Sequence, residues 1–173
     1  GKDEVAEAVG VGAIVFYYLT NNRIKDINFN LEEALSFDGN TGPYVQYTYA
    51  RAKSILRKNG GVNAADEKQG VTLSDKESED IYNLLTDDAA YALVKVLGEY
   101  EEAINKAALR YEPSVVARFT VSLATAFNKF YHDCPILHAE EELKQARLVL
   151  VDFTQQVLAD ACGLLGIECP EEM

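Results

Sequence analysis

Tyr44, Tyr47 and Arg51 stand at i, i+3 and i+7 in the run PYVQYTYAR, and Lys58 follows at i+14. On a helix this spacing lines two phenol rings and a guanidinium along one stripe. Such rings offer flat surfaces on which unpaired bases stack, worth about 1–3 kcal/mol per base, and arginine both stacks and contacts phosphate or base edges. The same spacing also suits a core, because tyrosines bury against a neighbouring helix when their hydroxyls find partners. From spacing alone, burial is the stronger of the two readings.

Bond-making chemistry finds less support. No glycine-rich phosphate loop follows a strand, and no His-x-x-x-His pair or Ser/Cys nucleophile signature occurs. His132, beside Asp133, has no nucleophile near it in the pattern and reads as solvated or capping. Glu140-Glu141-Glu142 fall in the first turn of an expected helix, where carboxylates suit the dipole, and Asp87-Asp88 read the same way. Cys134, Cys162 and Cys169 lack a Cys-x-x-Cys pair, and neither histidine stands at ligand spacing from them. Reduced thiols in a cytoplasmic protein are expected, with a structural zinc site as the lesser reading.

The formal net charge of −12 points away from a polyanionic partner. Its distribution qualifies that, since salt confines each exposed charge to a reach of about 8 Å. Residues 44–58 carry four basic and no acidic groups, and residues 106–133 carry four basic and two acidic. Two basic stretches on an acidic background leave a polyanion one orientation in which to bind. No apolar run approaches the ~20 residues that span a bilayer, so no membrane partner is expected.

These side chains need helices to hold them. Val5 to Thr20 reads as an apolar helix whose Gly10 and Gly12 allow close packing, and Val15, Phe16 and Leu19 are expected to be exposed. Ile24 to Phe29 alternates and suits an extended segment, and Asn30 caps a short helix after it. Residues 36–42 form a turn-rich loop. Thr41 and Pro43 then start a helix to about Lys58, with Val45, Tyr49, Ala52 and Leu56 as its buried stripe.

A polar connection over 59–75 follows, with Ser74 or Asp75 capping a helix to about Leu85. Further helices are expected over 87–97, 99–110, 115–132 and 139–164. Arg118, Ser122, Thr125 and Lys129 lie opposite the buried face of the penultimate one, and Leu143, Leu150, Phe153, Val157 and Leu164 turn the last one to the core. Gly163 and Gly166 supply its stop. The fold expected is all-α, an antiparallel helical bundle over residues 36–173 with a junction segment over residues 1–35.

Three runs carry a family resemblance. LSFDGNTGPYVQYTYARAKSIL (Leu35 to Leu56) resembles the opening of the anticodon-binding domain of arginyl-tRNA synthetases. ALRYEPSVVARFTVSLATAFNKFYHDCPIL (Ala108 to Leu137) resembles its central helix, with Ala107-Ala108-Leu109-Arg110 near the place of the family's Asp-Ala-Leu-Arg signature. ARLVLVDFTQQVLADACGLLGIECPEEM resembles the closing helix and short tail, with Glu172 where related chains commonly have Arg. The GNTGPYVQYTYAR run favours the arginine enzyme over other synthetases of its class.

The resemblance implies a chain that binds the anticodon loop of arginine tRNA and lacks the upstream catalytic core. That core would bind ATP and catalyse arginylation. This chain would need no cofactor and no metal, would have no catalytic residue and would not bind DNA. Its partners would be the tRNA and the catalytic domain of the same enzyme. The resemblance also reverses the reading of the stripe. Tyr44, Tyr47 and Arg51 become base-receiving residues, the loop of Asp38, Gly39 and Asn40 faces the RNA, and Met173 packs nearby. Arg118, Asn128 and Lys129 join them from the second basic stretch. The alternative is an acidic helical module that docks another protein.

Overall fold

A computed structural model describes residues 1–59 and 75–173, and every regular element among them is a helix. In chain order these are α1 (Lys2–Leu19), α2 (Leu31–Ala34), α3 (Gly42–Lys58), α4 (Asp75–Leu84), α5 (Asp88–Gly98), α6 (Tyr100–Arg110), α7 (Ser114–Asp133) and α8 (Glu141–Leu164). The expected connection and its Ser74 or Asp75 cap fall outside the described residues and side chains. None of the described helices is long and apolar enough to cross a membrane.

Local signals set several boundaries. The Asn30 side chain accepts from the amides of Glu32 and Glu33, and the Thr41 hydroxyl accepts from the amide of Tyr44 at 3.2 Å. Each satisfies donors that a helix start leaves orphaned. At the end of α8, Gly166 takes φ +72°, and the amides of Ile167 and Gly166 reach back to the carbonyls of Cys162 and Gly163. That is a left-handed stop only glycine adopts cheaply. Gly163 lies inside the helix instead.

α3, α7 and α8 pack against one another at the centre, α1 covers α3, α5 and α6 flank α7, and α4 lies on α8. The core is drawn from Phe127 and Phe130 of α7, Val45 and Ala52 of α3, and Leu148 and Leu158 of α8. Gln46 is fully buried at the seam between α1, α3 and the tail, its amide donating to the carbonyls of Ala8 (3.0 Å) and Glu168 (2.7 Å). Gly12 makes room for it. A Cβ there would lie 2.5 Å from Nε2 of Gln46, and one on Gly42 would lie 2.6 Å from the Gly12 carbonyl oxygen.

The structure departs from the sequence expectations in several places. Gly10 faces open space, so only Gly12 serves close packing. Phe16 is fully buried, because the Ala13–Phe16 side of α1 meets α3, and the exposed apolar side chains are Val11, Ile14 and Tyr18. Ile24 to Phe29 is irregular rather than extended; with no strand among the described residues to pair with, Phe29 is held by rings, stacked on Tyr18 at 5.7 Å and edge-on to Tyr17 at 5.1 Å. Leu164 is exposed, because α8 turns Val151, Leu158 and Ala161 to the centre instead. Asp87 is more than a helix-start carboxylate: it pairs at 2.7 Å with Arg147, whose buried guanidinium also donates to the Pro135 carbonyl.

Candidate nucleic-acid interface

The loop before α3 closes on itself. Ser36 and Asp38 exchange two hydrogen bonds, the Thr41 hydroxyl donates to the Ser36 carbonyl, and Gly39 takes φ +83°. These bonds fix the loop's path, and Asp38, Gly39 and Asn40 are left exposed at its tip. Phe37 leans edge-on to Tyr47, their centroids 6.3 Å apart.

From Tyr47 a stack runs through Arg51 to Tyr131 on α7. The Arg51 guanidinium lies 4.8 Å from the Tyr47 ring centroid and 5.2 Å from that of Tyr131. Each such contact is worth about 0.5–1 kcal/mol at an exposed site. Tyr47 keeps 40% of its surface exposed and Tyr131 45%, so both residues present surface to solvent. Tyr44 is half-buried and plays a different part through its hydroxyl.

Asn128 joins the stack to α7. Its Oδ1 accepts from Arg51 at 2.6 Å, and its Nδ2 donates to the Tyr44 hydroxyl at 3.1 Å and the Thr48 hydroxyl at 3.0 Å. The Tyr44 hydroxyl reaches Thr125 at 3.5 Å. A planar cation held by a hydrogen bond and two rings is preorganised, so little side-chain entropy remains to be lost when a base or phosphate arrives. Of the residues singled out in the sequence, Tyr44, Tyr47, Arg51 and Asn128 are brought into this one network.

The others are not. Lys129 lies on α7 with its ammonium on Asp133 at 2.7 Å, and Asp133 also meets Nδ1 of His132 at 2.8 Å. Hydrogen bonds from Lys129 and then His132 hold the Asp133 carboxyl below the usual carboxylate range. Arg118 lies away from the stack, in a groove between α6 and α7. Met173 ends a tail held by Lys53 on Glu171 (2.9 Å) and Arg57 on Glu172 (3.4 Å). Those two basic residues lie on the opposite side of α3 from Arg51, so the tail is tied away from the stack.

Phe37, Thr48 and Tyr131 are not among the residues the sequence singles out, and Thr125 stands there only on the exposed face of its helix. Tyr131 carried one usable signal, its i+3 spacing from Asn128 on the same helix. Phe37 carried none beyond an apolar residue in a polar loop.

A family model described as the DALR anticodon binding domain matches residues 45–173. The arginine–tRNA ligases of Alkaliphilus metalliredigens and Halothermothrix orenii are 46% and 45% identical over 99% of this chain, which spans 28% of each. The solved arginyl-tRNA synthetase of Thermus thermophilus superposes with a TM-score of 0.79 at 39% identity, over all of this chain and 28% of that one. That of Plasmodium falciparum gives 0.79 at 25% identity, over 99% and 28%.

Proposed function

The chain belongs to the DALR anticodon-binding domain family, and we propose that it receives the anticodon loop of an arginine tRNA on the Tyr47–Arg51–Tyr131 stack. The observation that carries this reading is that stack: two part-exposed rings and a guanidinium fixed between them by Asn128. Unpaired bases stack on such rings, and Arg51 keeps donors for a base edge or a phosphate. The tip of the loop, Asp38, Gly39 and Asn40, would then border the bound bases, and Tyr44 would position Asn128. Lys129 would contact RNA only from the margin of the site, and Met173, on the tail held by Lys53 and Arg57, would lie apart from it.

In the longer protein implied by relatives of which this chain spans 28%, ATP-dependent arginylation would take place in the remaining part. This domain would grip one end of the tRNA and help bring the other to that centre. Phosphate contacts would position the RNA and base stacking would read it. The net charge of −12 favours the second reading, an acidic module that docks a protein.

A titration of the chain with arginine tRNA and a non-cognate tRNA, at two salt concentrations, separates the two readings. Salt-sensitive binding that prefers the arginine tRNA is expected. Tyr47→Ala and Arg51→Ala should each weaken it by about 1–3 kcal/mol while the melting temperature stays close to wild type. Unchanged affinity in both variants removes the stack from the site.

A further inference from the structure

A second feature of the same flank has no part in the stack. A groove of about 740 Å³ runs between α6 and α7, and its cationic end is formed by Arg23, Lys106, Arg110 and Arg118. Arg23 is committed to the fold, donating to Glu112 at 3.0 Å and to the Arg110 carbonyl at 3.2 Å. Lys106, Arg110 and Arg118 are exposed and pair with no carboxylate among the described residues. Glu102 stands one turn before Lys106 on the same helix and leaves it unpaired. In a chain of net charge −12, three cations that form no ion pair at one end of the groove give that end a local positive field, with Glu99 and Glu102 elsewhere on the same groove.

We propose that this groove end binds backbone phosphates of the RNA stem that adjoins the loop held by the stack. The proposal rests on the reading above and adds to it a second, sequence-independent contact. Position supports it. Arg118, Ser122 and Thr125 fall at i, i+4 and i+7 on the exposed stripe of α7, and Thr125 is the residue that meets the Tyr44 hydroxyl. From Arg118 to Asn128, which holds Arg51, ten residues of helix span about 15 Å, so one stem–loop can touch both places. The groove also has a polarity. Glu99 and Glu102 line its other end and repel phosphate, so the strand is confined to the Lys106–Arg110–Arg118 end.

The test uses two probes: an RNA stem–loop carrying the anticodon arm of an arginine tRNA, and its loop sequence as a single strand. Each neutralised phosphate contributes about 0.7–0.9 to the slope of log affinity against log salt. The double substitution Lys106→Gln and Arg110→Gln should therefore flatten the stem–loop slope by about 1.5 and weaken binding roughly tenfold at about 0.1 M salt. Affinity for the single strand should stay as in wild type. Glu102→Gln should leave stem–loop binding unweakened. Wild-type slope and affinity in the double variant, with Tyr47→Ala still impaired, would sink the groove and leave the stack reading standing. Equal losses on both probes would also overturn the groove, since a stem contact cannot act on a strand without a stem. No binding of the stem–loop by the wild-type chain would sink both readings together.

Discussion

Asn128→Ala is the most direct probe of how the stack is built. Asn128 makes three side-chain hydrogen bonds, of which one is to the Arg51 guanidinium and two are to the Tyr44 and Thr48 hydroxyls. A neutral bond contributes about 0.5–1.5 kcal/mol net and a charged one about 1.5–3. Asn128 and Tyr44 are half-buried, so water makes good part of the loss there and the low end of those ranges applies, although the Thr48 hydroxyl is buried. Those low ends together give a loss of about 2.5 kcal/mol of stability, which for a chain of this size lowers the melting temperature by about 5–10 °C. Free of Asn128, Arg51 regains rotamers that binding must then order, at about 0.5–1.5 kcal/mol. RNA affinity should fall by about two- to tenfold.

A thermal melt followed by circular dichroism and a fluorescence titration with the stem–loop read the two effects separately. Asn128→Asp sharpens the test. It keeps an acceptor for Arg51, and so most of the stability, but sets a carboxylate where the RNA would lie. It should therefore melt close to wild type and bind more weakly. Unchanged melting and unchanged affinity in Asn128→Ala would refute the claim that Asn128 positions Arg51. Full affinity in Asn128→Asp would mean that the RNA does not approach this face of α7.

Two further predictions concern the scaffold. Gly42→Ala would set a methyl 2.6 Å from the Gly12 carbonyl oxygen and 2.9 Å from its carbon, and backbone cannot yield as a side chain does. It should cost about 1–3 kcal/mol in urea denaturation, whereas Gly10→Ala, with open space around it, should gain up to about 1 kcal/mol of helix propensity; equal midpoints for the two would contradict the α1–α3 contact. Burial disfavours the Glu112 carboxylate, but Ser114 and the Arg23 guanidinium outweigh it and hold its pKa below the ordinary carboxylate value. The stability this supplies is complete above that ordinary value and is lost as pH falls through the lowered one. Glu112→Gln should melt below wild type at neutral pH, with the gap closing toward acid; a gap independent of pH would assign the loss to packing instead.

What the sequence revealed was whatever a few adjacent residues decide. Asn30 and Thr41 cap their helices because their oxygens reach amides two or three residues on, and the Val45–Leu56 stripe is buried because its spacing allows one face. Tertiary outcomes were hidden. Gly10 and Gly12 look alike in the chain, yet only Gly12 faces Gln46 across the seam. Asp87 and Arg147 lie 60 residues apart, and nothing local joins them. The stack divides the same way. The helical stripe placed Tyr44, Tyr47 and Arg51 together, but it did not reveal that Tyr44 turns its hydroxyl to Asn128 while Tyr47 turns its ring to solvent. That difference depends on α7, which lies some 80 residues further along.

Charge shows how an acidic chain can still suit a polyanion. The four basic residues of 44–58 do not act as one patch. Lys53 and Arg57 are taken up by Glu171 and Glu172 of the tail, and Lys129 of the second basic stretch by Asp133. Pairing thus removes positive charge from the far side of α3 and from the exposed end of α7. The unpaired cations that remain on α6 and α7 gather in the groove, and Arg51 is held among rings. An RNA drawn by this pattern would meet phosphate-binding charge in one place and stacking surface in another, about 15–20 Å away along α7. It must then be oriented before it is read. Neither the total charge nor the count of basic residues in a segment carries that information; it lies in which cations the fold leaves without partners.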